Sequence, residues 1–348
     1  MQLLEVPGCP VDGSPGTVKY AGVHDAYFGT PGRWRYRQHR HAGHLWLDPR
    51  PADASIGELY ADYHTHAAEV PDVSAGVWHQ AMCLALSARL GYPTSGKAGI
   101  LARLVSHLPS VGAAAELEVM RIHASKSGRM LDVGCGGGAL LLRMHKAGWE
   151  VAGIEPDARA AACLATEAGF PVYRSLEELT RKGDQRFDVI VLGHVIEHLS
   201  DPVQTLIALR SLLDTGGRLV LTTPNALSLG ARVFGASWRG LEPPRHFNIF
   251  SPDSLRQALD RAGFQIERMQ TDVRMARGIW YMSCLARAGG RDLEIMRPSA
   301  HRLLKLAGYA FQLLEAGTVK LQPTLGEEIF CVAGIARSPR QPGAGSES

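Results

Sequence analysis

Arg129-Met130-Leu131-Asp132-Val133-Gly134-Cys135-Gly136-Gly137-Gly138-Ala139 runs from a short apolar segment into a glycine-rich turn, and the turn opens a run of helix formers. The apolar segment predicts a buried strand over 130–133. The glycines predict a backbone that can take positive φ and approach a ligand closely, because no Cβ stands in the way. Downstream the same rhythm repeats. Strands are expected at 151–155, 171–173, 189–192, 218–223, 265–270 and 329–335, with helices at 139–147, 158–168, 176–180, 202–213 and 252–262 between them. Short apolar strands alternating with helices are the pattern of a parallel sheet covered on both faces. The expected fold is therefore α/β, a doubly wound, mostly parallel seven-stranded sheet of Rossmann-like type.

The glycine loop alone does not choose a ligand. Gly134-x-Gly136-x-x-Ala139 fits the dinucleotide fingerprint, whose glycines admit a pyrophosphate. Asp132 separates the readings, because a carboxylate two residues before the first glycine would repel a pyrophosphate. A cation suits it better, and S-adenosylmethionine carries an ammonium and a sulfonium that the acid can attract directly or through water. Glu155, followed by Pro156, ends the second strand about 20 residues past the loop, where an acid can accept both ribose hydroxyls. It supports an adenosine ligand without choosing between methyl and hydride transfer. The plain alternatives are a buried structural aspartate and a solvated acid at a helix start.

Two further segments complete the pattern: Phe187-Asp188-Val189-Ile190-Val191-Leu192-Gly193-His194-Val195-Ile196-Glu197-His198-Leu199 and Gly216-Gly217-Arg218-Leu219-Val220-Leu221-Thr222-Thr223-Pro224-Asn225. With the glycine loop and Glu155-Pro156, they make residues 129 to about 271 resemble the class I S-adenosylmethionine-dependent methyltransferase family, in its small-molecule, quinone O-methyltransferase-like branch. The resemblance implies S-adenosylmethionine as cofactor, held by Asp132, Gly134, Cys135, Gly136, Gly138, Glu155 and Pro156. It also implies that Leu192 and His194 lie over the methionine end and that Ser175 and Leu176 lie near the adenine. The implied activity is a biosynthetic transferase reaction, O-methylation of a sugar, glycolipid, quinone or secondary-metabolite hydroxyl. Two rivals stay open: a non-catalytic cofactor-binding accessory subunit and a nicotinamide-dependent oxidoreductase.

Methyl transfer needs a base only when the acceptor holds a proton, and histidine titrates in the right range. His246, in Pro243-Pro244-Arg245-His246-Phe247-Asn248-Ile249-Phe250-Ser251, lies after the fifth strand, at the edge where acceptors should enter, and is the leading candidate. Its bland alternative is a histidine that closes the loop by bonding to backbone. His198 and Glu197 follow the fourth strand and are further catalytic candidates, against a simple role in capping the turn before Asp201-Pro202.

The 348 residues, 45% hydrophobic and 20% charged, exceed what one catalytic core needs. Residues 1–51 read as an irregular module. Cys9-Pro10-Val11-Asp12 and His39-Arg40-His41-Ala42 resemble the knuckles of a zinc ribbon with ligands missing. His41 or His44 could substitute, but a metal-free remnant is the expectation and no metal is assigned. Residues 52–128 read as a helical cap, and 129–337 as the methyltransferase domain with a helical insertion at about 275–321. Residues 338–348 have the Gly, Pro and Ser content of a disordered tail. Tyr60, Tyr63 and His64 share one helix face, which suits ordinary packing better than a lid over the cofactor. The insertion's apolar face beside Arg297, Arg302 and Lys305 leaves open a homodimer contact or peripheral membrane docking for a lipid-linked acceptor. A formal charge of +3 without basic runs argues against nucleic acid, and the small-molecule acceptor is the expected partner. Six scattered cysteines, no signal-peptide pattern and no span-length apolar segment lead to an expected cytoplasmic location.

Overall fold

The computed structural model describes residues 1–59, 76–94, 98–124, 128–183, 185–289 and 302–336. Tyr60, Tyr63, His64, Arg297 and the 338–348 tail lie outside the described residues. The strands are, in chain order, β1 (Leu3–Leu4), β2 (Gly16–Val23), β3 (Trp34–His39), β4 (Leu45–Leu47), β5 (Arg50–Pro51), β6 (Arg129–Val133), β7 (Glu150–Ile154), β8 (Val172–Tyr173), β9 (Phe187–Gly193), β10 (Leu213–Pro224), β11 (Asn248–Ile249), β12 (Phe264–Asp272) and β13 (Glu328–Ile335).

Seven of them form the central sheet in the order β12-β13-β10-β9-β6-β7-β8. β8, β7, β6, β9 and β10 run parallel, and β13 is antiparallel to both β10 and β12. The strand order reverses between β6 and β9, so their carboxyl ends open the crevice where doubly wound sheets take ligands. All seven strands and the connecting helices Ala139–Lys146, Ala158–Ala168, Leu176–Arg181, Pro202–Ser211 and Pro252–Arg261 fall where the sequence pattern puts them, within a few residues.

Alternation along each strand sends side chains to two cores. Met130, Val151, Val191, Val220 and Phe330 face a layer that includes Ala81, Ala85 and Leu86 of the Val77–Leu90 helix and Val111 and Ala115 of the Pro109–Glu118 helix. Leu131, Ala152, Ile190, Leu192, Leu219 and Cys331 face Leu206 and Leu209 of the Pro202–Ser211 helix and Leu255 and Leu259 of the Pro252–Arg261 helix. The helices before the domain are thus one of the two layers that bury the sheet. Shortening a fully buried member such as Leu131 to Ala costs about 2–5 kcal/mol.

The amino-terminal segment is more regular than its composition suggests. β2, β3 and β4 form an antiparallel meander, and its far edge is β11, supplied by the loop that carries His246. In β3, Trp34 and Tyr36 point into a core with Leu45, Leu47, Phe247 and Ile249. Arg35 and Arg37 point out, to Asp48 at 3.0 and 2.5 Å. That is strand alternation, hidden in the sequence by the abundance of Arg, His and Gly. In the insertion, the helices Ala276–Arg287 and Arg302–Leu321 pack through Trp280 and Phe311, with ring centroids 6.0 Å apart, against Phe234. Among the described residues no helix is long and apolar enough to cross a membrane.

Candidate active site

The glycine loop is fixed by its backbone. Gly134 N and Cys135 N both donate to Ile154 O, at 2.8 and 3.1 Å, and Gly138 N donates to Cys135 O at 2.9 Å. Gly134 and Gly138 have φ of 69° and 70°, and a Cβ there would stand 2.6 Å from Val195 and 2.4 Å from Leu164. These two glycines are required by packing. Gly136, at φ 52°, has open space where its Cβ would be, so this glycine leaves room for a ligand. Cys135 turns its sulfur towards Gly153 and is buried, offering the crevice only backbone. Leu192 is fully buried in the core, so a ligand at the end of β9 meets Gly193 and His194 instead of the leucine side chain.

Two acids flank this loop. Glu155, buried, accepts from Gly136 N at 2.8 Å and from Asp157 N at 2.9 Å, and each carboxylate oxygen retains lone-pair capacity for a hydroxyl. Asp132 is 6% exposed, and among the described residues nothing donates a hydrogen bond to its carboxylate. Burial, with Glu155 nearby, pushes its pKa up to about 7. A buried carboxyl short of positive partners fits a cationic ligand, and S-adenosylmethionine brings a cation to one acid and ribose hydroxyls to the other.

Beyond β9 the chain enters a tight turn, with His194 at φ 56° and a single 3-10 turn over Ile196–His198. His194 is held between two carboxylates, Nδ1 to Glu197 Oε1 at 3.2 Å and Nε2 to Glu328 Oε1 at 2.6 Å. Burial alone would lower its pKa, but the two acids outweigh it and carry it up to about 10. With 37% of its side chain exposed, the ring lies at the crevice edge as the cation between two carboxylates, which take both of its N–H groups. Glu197 is fully buried and also accepts from Thr223 Oγ1 at 3.0 Å. Burial opposes its ionisation, and His194, followed by His198 and His246, overcomes this and lowers its pKa to about 2.

His246 comes to the same place from the other side. It is 6% exposed, its Nδ1 donates to Gly240 O at 2.8 Å, and its ring meets that of His198 edge-on at 4.7 Å. The backbone bond foreseen as its bland role is present, and it leaves Nε2 as the nitrogen that faces the cluster. Burial lowers its pKa to about 4 against the pull of Glu242, whose Oε2 lies 3.7 Å away and is bonded to Arg239. The fold thus brings Glu197, His198 and His246 together.

The amino-terminal module holds the His246 loop, a role the sequence does not disclose. Tyr36 Oη donates to Leu241 O and bonds His246 O, at 2.5 and 3.0 Å. Arg245 pairs with Asp25 at 2.9 Å, with side-chain exposures of 3% and 0%, and donates to Thr30 Oγ1 at 3.0 Å. Asn248 links His44 Nε2 at 3.2 Å to Leu199 O at 2.7 Å. Nε2 of His44 is thereby committed to the His246 loop. At the knuckles, His39 Nδ1 accepts from Ala42 N at 2.8 Å and Nε2 donates to Asp12 Oδ2 at 3.1 Å, so a hydrogen bond joins the two knuckles. Among the described residues, Cys9, Asp12 and His39 do not gather into a metal-ligating group.

Residues 107–268 match the family model described as "Methyltransferase domain". The ubiquinone biosynthesis O-methyltransferase of Cereibacter sphaeroides is 36% identical over 147 residues, which is 39% of this chain and 59% of that protein. The protein of the same description from Xanthomonas euvesicatoria is 35% identical over 151 residues, 40% of this chain and 63% of that protein. The chain thus spans about three fifths of the length of these curated relatives. A solved S-adenosylmethionine-dependent methyltransferase from Archaeoglobus fulgidus aligns over 60% of this chain and 86% of its own, at 19% identity and a TM-score of 0.39. Residues 107–268 thus carry a methyltransferase domain, on a seven-stranded, mostly parallel sheet.

Proposed function

We propose that the protein transfers the methyl group of S-adenosylmethionine to an oxygen of a small-molecule acceptor. The observation that carries the reading is the pair of acids on either side of the glycine loop, Asp132 buried without a donor and Glu155 anchored to Gly136 N. Asp132 would meet the ammonium directly or through water, Glu155 the ribose, and the Gly134–Gly138 backbone the span between them. When bound, the cofactor supplies a methyl carbon already activated by the sulfonium, so positioning the acceptor is the main task left to the protein. Glu197, His198 and His246 are assigned to the acceptor's hydroxyl and its proton, with His246 Nε2 foremost. The quinone O-methyltransferase relatives support oxygen as the methylated atom and a quinone-like phenol among the acceptors; sugar, glycolipid and secondary-metabolite hydroxyls are the other classes.

The test is incubation of the whole chain with methyl-labelled S-adenosylmethionine and a panel of phenols, quinols and sugars. Label appearing in an ether product supports the proposal. Tight cofactor binding without transfer to any acceptor class supports the accessory-subunit reading instead.

A further inference from the structure

The three groups that meet at the acceptor side share a feature that proton transfer does not require. Ligand atoms of Glu197, His198 and His246 all lie within 4.8 Å of one another. Both histidines are fixed in one tautomer by backbone carbonyls, His198 Nδ1 donating to Arg245 O at 3.1 Å and His246 Nδ1 to Gly240 O at 2.8 Å. Each neutral ring therefore carries its lone pair on Nε2. An imidazole whose other nitrogen is bound to a carbonyl is the usual preparation of a metal-ligating histidine. The carboxylate is prepared in the same way, with Thr223 on one oxygen and His194 on the other. Glu197 and His246 are buried and His198 is half-buried, so the side of the cluster nearest solvent is the one on which a fourth position would open.

We infer that Glu197, His198 and His246 form a site for one divalent first-row transition ion of the zinc class, with an open position for the acceptor oxygen. The donor set, two imidazole nitrogens and one carboxylate, matches catalytic zinc sites with three protein ligands and one exchangeable position. Bond lengths of about 2.0–2.2 Å require the ligand atoms to draw in to about 3.5 Å of one another, a small rotamer adjustment from the present spacing. The chemical role rests on the methyl-transfer reading. The ion binds the hydroxyl oxygen and lowers its pKa, and the proton leaves to water. The oxygen then forms its bond to the methyl carbon as the carbon–sulfur bond breaks and its electron pair passes to sulfur. His246 becomes a ligand in place of a base, and no metal was expected here from the sequence.

The experiment is titration of the chelator-treated full chain with Co2+, followed by its visible absorption, with Zn2+ as competitor. Expected are one bound equivalent, d–d bands without a thiolate charge-transfer band, and displacement by Zn2+. Glu197→Gln and His246→Gln should each weaken binding at least about tenfold, whereas His39→Ala in the amino-terminal knuckle should leave it unchanged. S-adenosylhomocysteine affinity, measured on every variant, reports whether the fold and the cofactor site survive. The inference is overturned if no Co2+ binds to chain that still binds S-adenosylhomocysteine, or if binding is lost with His39 and retained in His246→Gln. Co2+ binding at the cluster in chain that binds no S-adenosylhomocysteine would sustain the metal site and sink the methyl-transfer reading instead.

Discussion

Removing Asp25 tests whether the amino-terminal module is a structural part of the active site. Asp25 Oδ1 accepts from Tyr27 N and Phe28 N at 3.0 and 2.9 Å, and Oδ2 accepts from Thr30 N at 3.1 Å and from Arg245 Nη1 at 2.9 Å. Burial would raise its pKa, and the Phe28, Thr30 and Arg245 bonds outweigh that and lower it. Asp25→Ala leaves a guanidinium at 3% exposure without its carboxylate and takes the acceptor from three backbone donors. Breaking a buried pair from one side costs about 3–5 kcal/mol, against about 0–1 kcal/mol for an exposed one. Urea unfolding followed by tryptophan fluorescence should therefore show the midpoint falling by about 1 M or more. The double variant Asp25→Leu/Arg245→Met should recover much of the loss, because an apolar replacement leaves no buried charge. A single-variant loss below about 1 kcal/mol, or a double variant no better than the single, would refute the clamp.

Other consequences can be checked on the same protein. Asp132 sits near pH 7 in the folded chain, and a cationic ligand favours its ionised form. S-adenosylhomocysteine affinity should therefore rise about tenfold from pH 6 to pH 8 and become flat in Asp132→Asn; a flat profile in the parent chain would contradict the role. Glu315, fully buried, has its pKa raised by burial, and by Glu327, to about 9 from 4.5. The folded state then holds a proton that the unfolded state releases, so this group makes stability fall as pH rises from about 4.5 to 9. Glu315→Gln should flatten that fall, as read by thermal unfolding across pH. Gly138→Ala should destabilise by about 1–2 kcal/mol or more, from its positive φ and the contact with Leu164. Gly136→Ala, which meets no neighbour, should pay only for φ and lose cofactor affinity more than stability.

The sheet was legible because its strands are fully buried and its helices amphipathic, so apolar runs and their spacing carried the pattern without tertiary information. The glycine loop and Glu155 were legible for a related reason: both are local, a turn and a strand end. What escaped was assembled from distance. Nothing near His194 signals that Glu328, 134 residues on, will bond its Nε2. Nothing near Arg245 signals Asp25, 220 residues before it. β11 is two residues long and pairs with β4 across the two halves of the chain, below the reach of any periodicity. The loop alone marks His246, but the carbonyl that fixes its tautomer belongs to the short 3-10 turn Arg239–Leu241, which has no periodicity of its own.

On the proposed reading, Asp132, Glu155 and the glycine loop hold an adenosyl sulfonium cofactor. Calorimetric titration of the chain with S-adenosylmethionine, S-adenosylhomocysteine and NAD in parallel tests it without knowledge of the acceptor. Saturable binding of both adenosyl ligands, and none of NAD, is the predicted result. Binding of NAD alone would contradict the assignment of Asp132 and turn the site to hydride chemistry.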